Sequence, residues 1–433
     1  MLAVLYQLEQ SQWWSAEQLL ESQFAQLALL CTHAEKEIPF YRQRFRQAGI
    51  GDVQRLTLDT WQLLPILTRS DFQGKESLIS TSNIPAPYQR LGTIATSGST
   101  GQPITISTTN LTQFLWNVFT LREHQWHSLD FSRKLSAIRY VSDPEAGYPR
   151  GIPLPHWGPP AASLYRTGPS SILDIKTTTV LQQWEWLTGE NPAYLVTYPS
   201  VLAEFLKLSA TRPDRLSELS EIRLFGETVD DSLRTLCQQA WGIPLTANYT
   251  ANEAGTIAHQ CPEHPHYHVQ SENLYVEVLN DQNKACAPGE IGRVVITTLH
   301  NFATPLIRYA IGDYAELGPP CSCGRGLPVL RRILGRVRNI LTLPTGEKRW
   351  PVFGWGKLSK IAPLSQHQLI QKSLHQIEAR LVVQAKVTAE QERKMQSVIQ
   401  KSLGYPFDVT FSYPAVIERS PTGKYEEFKS ELL

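Results

Sequence analysis

The chain has 433 residues, with 41 basic against 40 acidic side chains, a charged fraction of 19% and a hydrophobic fraction of 42%. That length exceeds one ordinary core and predicts two or three domains, while balanced charge without a long like-charged run excludes a nucleic-acid or anionic-membrane footprint and leaves a small molecule as the expected partner. No apolar run approaches the ~20 residues of a membrane span, MLAVLYQLEQ has no basic segment ahead of an apolar core, and six scattered cysteines do not make a disulfide framework, so a cytoplasmic protein with reduced thiols is expected.

Residues 16–48 place apolar side chains at helical spacing and break at Pro39, which predicts two helices, the first starting near Ser15 or Glu17. Residues 96–103 read TSGSTGQP, between the strand-like LGTIAT and ITISTT. Gly98 and Gly101 leave backbone N–H groups unshielded, and Thr96, Ser97, Ser99 and Thr100 add hydroxyl donors, a composition that suits a phosphate. The loop has no lysine and is not a GxxxxGK[ST] phosphate loop. A serine- and glycine-rich surface hairpin satisfies the same composition.

From about residue 85 to 300, strand-like runs (GTIAT, KLSAIRYVS, AYLVTYPS, EIRLFGE, PLTANYT, NLYVEVL, GRVVITTL) alternate with helix-like ones (SVLAEFLKLSA, DDSLRTLCQQAW), which predicts α/β layering. Residues 143–170, dense in proline, glycine and aromatics, read as an ordered irregular segment, either a pocket wall or a surface excursion. Near residue 334 the texture changes to two strands, a helix and a strand. The predicted organisation is a large multi-layer α/β domain over 1–334 and a small α+β domain over 335–433.

Several short motifs carry candidate chemistry. FGETVDD at 225–231 puts Gly226 and Glu227 between a strand and a helix, where α/β sheets bind ligands. YTANEAG at 249–255 follows a second strand, RYAIGDY at 308–314 offers Asp313 after a glycine, and GRVRN at 335–339 supplies arginines at the domain boundary. SPTGKY at 420–425 presents Lys424 on a glycine turn. Cys261 with His264, His266 and His268, and Cys321 with Cys323, are two tight clusters of thiol and imidazole; three Cys and one His make a closed tetrahedral zinc site, whereas a solvated histidine loop is the alternative. Cys31, Cys237 and Cys286 read as packing thiols.

Together and in this order the motifs resemble the adenylate-forming superfamily of acyl-CoA synthetases and adenylation domains, in its phenylacetate–CoA ligase-like branch. The resemblance runs from EIPFYRQRF at 37–45 to the terminal lysine. It implies an enzyme, an AMP-forming acid–thiol ligase: a carboxylate attacks the α-phosphate of ATP, giving an acyl-adenylate and pyrophosphate, and a thiol, most often coenzyme A, then takes the acyl group. It implies that Thr96, Ser97, Gly98, Ser99, Thr100 and Gly101 grip the β- and γ-phosphates, and that Gly226, Glu227 and Tyr249 surround adenine with Thr250 near the phosphate. By the same resemblance Glu253 helps hold Mg²⁺, Asp313 takes the ribose hydroxyls, Arg336 reaches the nucleotide, and Lys424 is the catalytic lysine of a mobile lid. The branch places a structural zinc at positions matching Cys261, Cys321, Cys323 and a histidine just before a short β run, here His268, with His264 and His266 as alternatives.

The family's acid pocket maps to Tyr198, Phe225 and Ala251, an aromatic lining suited to an aryl or other hydrophobic carboxylate, with His156 and Trp157 as further candidates. The stretch 153–162, PLPHWGPPAA, replaces a glycine-rich segment of phenylacetate ligases and resembles relatives encoded with polysaccharide or secondary-metabolite genes. Arg338 stands at the usual acidic hinge position, and the following TLPTGEKRWP departs from the loop that places the thiol, so transfer to a carrier-protein thiol or an amine is an alternative to coenzyme A. A zinc-stabilised nucleotide-binding protein without catalysis is the third reading. A monomer or homodimer is expected, without nucleic acid or membrane.

Overall fold

A computed structural model describes every residue except 87, 96–102, 213–215, 337–338, 350, 352–357, 359, 421–422 and 433. The chain divides into two compact units, one of residues 1–131, 158–167 and 247–333 and the other of residues 132–157, 168–246 and 334–433.

The first unit opens with three helices, Leu2–Ser11, Ala16–Glu37 and Pro39–Gln47. The second begins where Ser15 closes a capping box: Ser15 Oγ accepts from the Gln18 N–H at 3.3 Å and the Gln18 side chain accepts from the Ser15 N–H at 2.9 Å. It ends at Ile38, which the following proline holds extended at φ −123°. Strands Arg90–Ala95 and Thr105–Thr109 pair antiparallel, so the strand–loop–strand reading holds for the flanks of the 96–103 motif, whose residues 96–102 lie outside the described part. The sheet of this unit includes strands Leu274–Leu279, Ile291–Thr298, Tyr309–Leu317, Tyr267–Val269 and Gly255–Gln260. Buried Tyr41, Phe45, Trp61, Phe72 and Tyr309 anchor the helices to it.

Arg308 is the buried fastener of this core. Its guanidinium makes a bidentate pair with Glu277, Nε to Oε2 at 3.1 Å and Nη2 to Oε1 at 2.8 Å, while Nη1 donates to the Gln62 carbonyl at 2.9 Å. The carbonyls at the end of helix Leu58–Gln62 are thereby satisfied from the sheet.

The second unit contains a parallel array in which Tyr194–Thr197 lies between Leu135–Arg139 and Glu221–Leu224, and Ser170–Asp174 continues it on the far side of Leu135–Arg139. Helix Val180–Glu190 connects Ser170–Asp174 to Tyr194–Thr197 and helix Pro199–Ser209 connects Tyr194–Thr197 to Glu221–Leu224, crossovers of the kind that parallel pairing requires, and helix Asp231–Trp241 follows Glu221–Leu224. The segment 143–157 is ordered through short pieces: Ile152–Leu154 pairs antiparallel with Ser170–Asp174, and the Trp186 indole donates to the Arg150 carbonyl at 3.0 Å.

The C-terminal part of this unit has a four-stranded sheet, ordered Asp408–Ser412, Gln376–Val383, Leu364–Gln371, Phe428–Ser430, with helix Ala389–Leu403. Two strands, a helix and a strand are as expected; the edge strand Phe428–Ser430 is additional. Leu369, Ile377, Leu381, Met395, Ile399 and Phe407 belong to a hydrophobic cluster drawn from residues 341–428. The fold is mixed α/β with a small α+β C-terminal part. Among the described residues no helix is long and apolar enough to cross a membrane.

Candidate functional site

In the second unit, strand Glu221–Leu224 delivers Phe225, Gly226 and Glu227 to its C-terminal end, and the preceding parallel strand delivers Tyr198. The Tyr198 and Phe225 rings lie 4.6 Å apart at 39°. Gly226 has φ +78°, and a Cβ there would stand 3.2 Å from the Tyr198 ring and 3.4 Å from Cε of Lys424. The lysine is therefore packed against the very turn that the FGE motif marks, about 200 residues earlier in sequence.

Lys424 is presented by a compact turn. Gly423 N donates to the Ser420 carbonyl at 2.8 Å, Ser420 N to the Lys424 carbonyl at 2.8 Å, and Lys424 N to Ser420 Oγ at 3.0 Å. Gly423 has φ +81°, and a Cβ would come within 2.9 Å of Ile175, so only glycine lets the turn approach this closely.

Glu227 turns its carboxylate toward this turn. It accepts from the Ser200 N–H at 2.9 Å, from Ser200 Oγ at 3.0 Å and from the Tyr425 N–H at 2.6 Å, and lies 3.6 Å from the Arg419 guanidinium. Burial raises its pKa, against the opposing pull of Arg419. Arg419 and Ser200 were absent from the sequence expectations; nothing local distinguishes them, because their roles arise from a partner far away in sequence.

Trp157 donates its indole N–H to the Arg133 carbonyl at 2.8 Å and stands edge-on to Tyr194, so its polar atom is engaged within the unit's own frame. His156 is exposed, and its carbonyl accepts from Ser170 Oγ at 2.8 Å. Arg336, half-buried, ends strand Val329–Arg336. Arg338 lies outside the described residues.

In the first unit, Tyr249 donates its phenol O–H to Asp313 Oδ2 at 2.7 Å, and both side chains are largely buried. The bond fixes one oxygen of the carboxylate. Tyr249 also opens a β-bulge before Thr250, in the hairpin of Leu245–Ala251 with Gly255–Gln260. Ala251 and Gly255 close the hairpin, and its tip carries Asn252 and Glu253. Glu253 is buried, which is unusual for a carboxylate at a turn. Asn252 Nδ2 donates at 3.3 Å to the carbonyl of Ala95, the residue before the 96–102 segment. The hairpin tip and the root of the glycine-rich loop are thus adjacent. A cleft beside them is lined by Ile94, Thr112, Trp116, Asn252, Glu253 and Asn301. Thr96, Ser97, Gly98, Ser99, Thr100 and Gly101 themselves fall outside the described residues.

A second constellation in the first unit has the chemistry of a metal site. One donor atom each from Cys261, His268, Cys321 and Cys323 lies within 4.8 Å of the others. Cys261 Sγ is 3.9 Å from Cys321 Sγ, and Cys323 Sγ is 3.4 Å from His268 Nε2. A tetrahedron with Zn–S near 2.3 Å and Zn–N near 2.0 Å has edges of about 3.8 Å and about 3.5 Å, so both separations fit. Burial lowers the His268 pKa to about 4, which keeps the imidazole in its neutral, ligating form, and its Nδ1 faces the Leu327 carbonyl at 3.4 Å. Burial pushes the Cys321 thiol up to about 12 and raises that of Cys261, whereas, against its burial, hydrogen bonds, the Arg325 N–H first among them, hold the Cys323 thiol below its ordinary value. His266 Nε2 also reaches Cys321 Sγ, at 3.0 Å, while His264 Nε2 pairs with Ser322 Oγ at 2.9 Å.

No family model matches the chain. Curated relatives do: phenylacetate–coenzyme A ligase of Thermus thermophilus is 23% identical over 340 residues, covering 76% of this chain and 72% of the relative. The Pseudomonas putida enzyme of the same name is 25% identical over 368 residues, with coverages of 81% and 78%, and that of Aromatoleum evansii is 23% identical with coverages of 95% and 94%. Among solved structures, 2-hydroxyisobutyryl-CoA ligase in its postadenylation state with 2-HIB-AMP superposes with a TM-score of 0.73 at 17% identity, covering 95% of this chain and 89% of that one. The anthranilate CoA ligase AuaEII with anthranoyl-AMP gives 0.56 at 16% identity, with coverages of 77% and 64%. These structures share the fold; the curated relatives share the sequence along most of its length. The chain is thus similar to phenylacetate–CoA ligases along most of its length and has the fold of the acyl-CoA ligases.

Proposed function

We propose that this protein is an AMP-forming acid–CoA ligase. It joins a carboxylic acid to the α-phosphate of ATP, releases pyrophosphate, and passes the acyl group from the adenylate to the thiol of coenzyme A with release of AMP. The observation that carries this reading is the seating of Lys424 against Gly226 at the C-terminal end of a parallel strand. Ligands of open α/β sheets bind at that end.

The chain's own residues divide the work. The Lys424 ammonium balances negative charge that builds between the acid's carboxylate and the α-phosphate as the bond forms. Asp313, steadied by the Tyr249 hydroxyl, accepts hydrogen bonds from the ribose hydroxyls. Gly226 and Tyr249 form the adenine wall, and Arg336 and Thr250 contact the phosphate-bearing part. Glu253 is the carboxylate for Mg²⁺, a cation that neutralises the departing pyrophosphate when bound. Residues 96–101 grip that pyrophosphate. Tyr198, Phe225 and Ala251 line the acid pocket, and the two aromatic rings favour an aryl or other hydrophobic acid.

Residues 335–433 are proposed as a lid that carries Lys424 in for adenylation and out for thioester formation; the separate hydrophobic cluster over residues 341–428 supports this. Cys261, His268, Cys321 and Cys323 are proposed as a structural zinc site. Six free cysteines support a cytoplasmic setting. The names of the curated relatives favour coenzyme A over a carrier protein or an amine as acceptor.

The test is acid-dependent exchange of labelled pyrophosphate into ATP, screened over aryl and short hydroxy acids. Exchange is expected with at least one acid, to be abolished in Asp313→Ala, and to fall by about a hundredfold or more in Lys424→Ala. Wild-type exchange in both variants would sink the assignment of these residues.

A further inference from the structure

The fourfold engagement of Glu227 is not what a carboxylate lining an adenine wall needs, and it has a directional logic. Two of its partners, the Ser200 N–H and hydroxyl, come from the start of helix Pro199–Ser209, beside the parallel strands. The other two, the Tyr425 N–H and the Arg419 guanidinium, flank Lys424 on either side in sequence. Arg419 Nη1 additionally donates to Ser200 Oγ at 2.8 Å and to the Gly423 carbonyl at 3.1 Å, so one guanidinium spans the lysine turn and the helix start. Tyr425 is also tied backwards: the His367 N–H donates to its hydroxyl at 3.2 Å, and that hydroxyl donates to the His367 carbonyl on strand Leu364–Gln371. The lysine turn is therefore tied to the C-terminal sheet through Tyr425, and the Tyr425 N–H is held by a single carboxylate.

We propose that Glu227 and Arg419 form a latch that positions Lys424 for the adenylation step. They are positioning residues: neither need touch the reacting atoms, since the latch sets where the Lys424 ammonium stands relative to the Gly226 turn. The latch is specific to one of the two half-reactions, because withdrawal of the lysine turn removes the Tyr425 and Arg419 contacts while leaving those from Ser200. The geometry is one of charge-assisted hydrogen bonds shielded from water, where loss of one partner is felt strongly. This inference rests on the ligase reading above, and it deepens it by giving the glutamate of the FGE motif a role other than nucleotide contact.

The experiment uses the full chain and two independent readouts. In Arg419→Ala and Glu227→Ala, amide hydrogen exchange over residues 423–425 is expected to accelerate by about tenfold or more relative to wild type, with the strands of the C-terminal sheet unchanged. Arg419→Lys, which keeps the charge but not the fork, is expected to fall between. For activity, pyrophosphate exchange is measured with phenylacetate, anthranilate and 2-hydroxyisobutyrate, and the second half-reaction separately, with the chemically prepared adenylate of the same acid and coenzyme A. Arg419→Ala is expected to lower kcat for exchange by about tenfold or more, with KM for ATP and the rate from supplied adenylate within about twofold of wild type. Unchanged amide exchange in both alanine variants overturns the latch. So does an equal loss in the two half-reactions, or a rise in KM for ATP at constant kcat, which would make Glu227 and Arg419 nucleotide contacts. If wild type exchanges no pyrophosphate with any of the three acids, the ligase reading fails for them, and the amide readout alone decides the latch.

Discussion

Removing one thiolate from the Cys261, His268, Cys321, Cys323 constellation is the sharpest test of what that cluster is for. Cys261 is buried and stands 3.9 Å from Cys321 Sγ, so Cys261→Ser leaves volume nearly unchanged while replacing a soft, metal-binding sulfur with a weakly ligating hydroxyl. A metal that binds only the folded state stabilises it by RT ln(1 + [L]/Kd), about 4 kcal/mol when free metal exceeds Kd a thousandfold. In a unit of this size each kcal/mol moves the melting midpoint by roughly 2–4 °C, so loss of zinc should lower it by roughly 8–16 °C. Elemental analysis of purified protein should give about one zinc per chain in wild type and far less in Cys261→Ser, and scanning calorimetry should show the lower midpoint. A chelator should bring wild type down toward the variant without affecting the variant itself. Zinc-free wild-type protein that melts at the same temperature with and without added zinc would refute the argument, and the four donors would then be a packing cluster that happens to have tetrahedral edges.

Three further outcomes follow from buried polar contacts. Tyr249→Phe removes the 2.7 Å bond that steadies Asp313; at about 1.5–3 kcal/mol for a hydrogen bond to a charged group, kcat/KM for ATP should fall by roughly 10- to 150-fold in steady-state pyrophosphate release. A change under about twofold would mean that Asp313 is held by other groups. Arg308→Met leaves Glu277 buried without its bidentate partner and should cost about 3–5 kcal/mol in denaturant unfolding, whereas an ordinary surface arginine would cost well under 1 kcal/mol. Burial, with a smaller contribution from Lys207, lowers the His367 pKa from 6.5 to about 4. The folded state favours the neutral ring, so its contribution is complete above pH 6.5 and is lost as pH falls toward 4, by up to about 3 kcal/mol; His367→Gln should flatten the fall in stability between pH 7 and 4.5 seen by chemical denaturation.

What the sequence disclosed depended on how far apart the cooperating residues lie. The cap at Ser15 and the break at Pro39 involve neighbours within one or two turns, and the helix Ala16–Glu37 is bounded where those residues predict. The four proposed metal donors, which the fold gathers within 4.8 Å of one another, could be singled out across 60 residues because thiols and imidazoles so closely spaced have few other uses. The edge strand Phe428–Ser430 left no trace: three residues, one of them lysine, have no periodicity, and the strand exists because parallel pairing with Leu364–Gln371 satisfies its backbone. Trp157 and His156 were singled out by an unusual composition, yet Trp157 uses its N–H to hold the Arg133 carbonyl. Aromatic density marks a segment that needs anchoring as readily as one that binds a ligand.

Glu227 shows why a motif locates a residue more surely than it assigns its role. Its neighbours Phe225 and Gly226 shape a turn through their own conformations, information that is local. Its carboxylate is committed to groups at sequence separations of 27 and 198, and only the fold brings those together. Electrostatics gives that commitment a reason beyond tethering. A buried, unpaired carboxylate next to a polyphosphate would oppose nucleotide binding, whereas one that accepts two backbone N–H groups and a hydroxyl and faces a guanidinium presents little net field. Two of the four groups that satisfy Glu227, the Tyr425 N–H and the Arg419 guanidinium, are the ones proposed to bring Lys424 to the turn, so in that proposal the satisfaction of the carboxylate and the placement of the lysine are linked. Coupling of that kind makes readiness for adenylation a property of the docked lysine turn as a whole, and it predicts that substitutions at Arg419 and at Lys424 will not be additive.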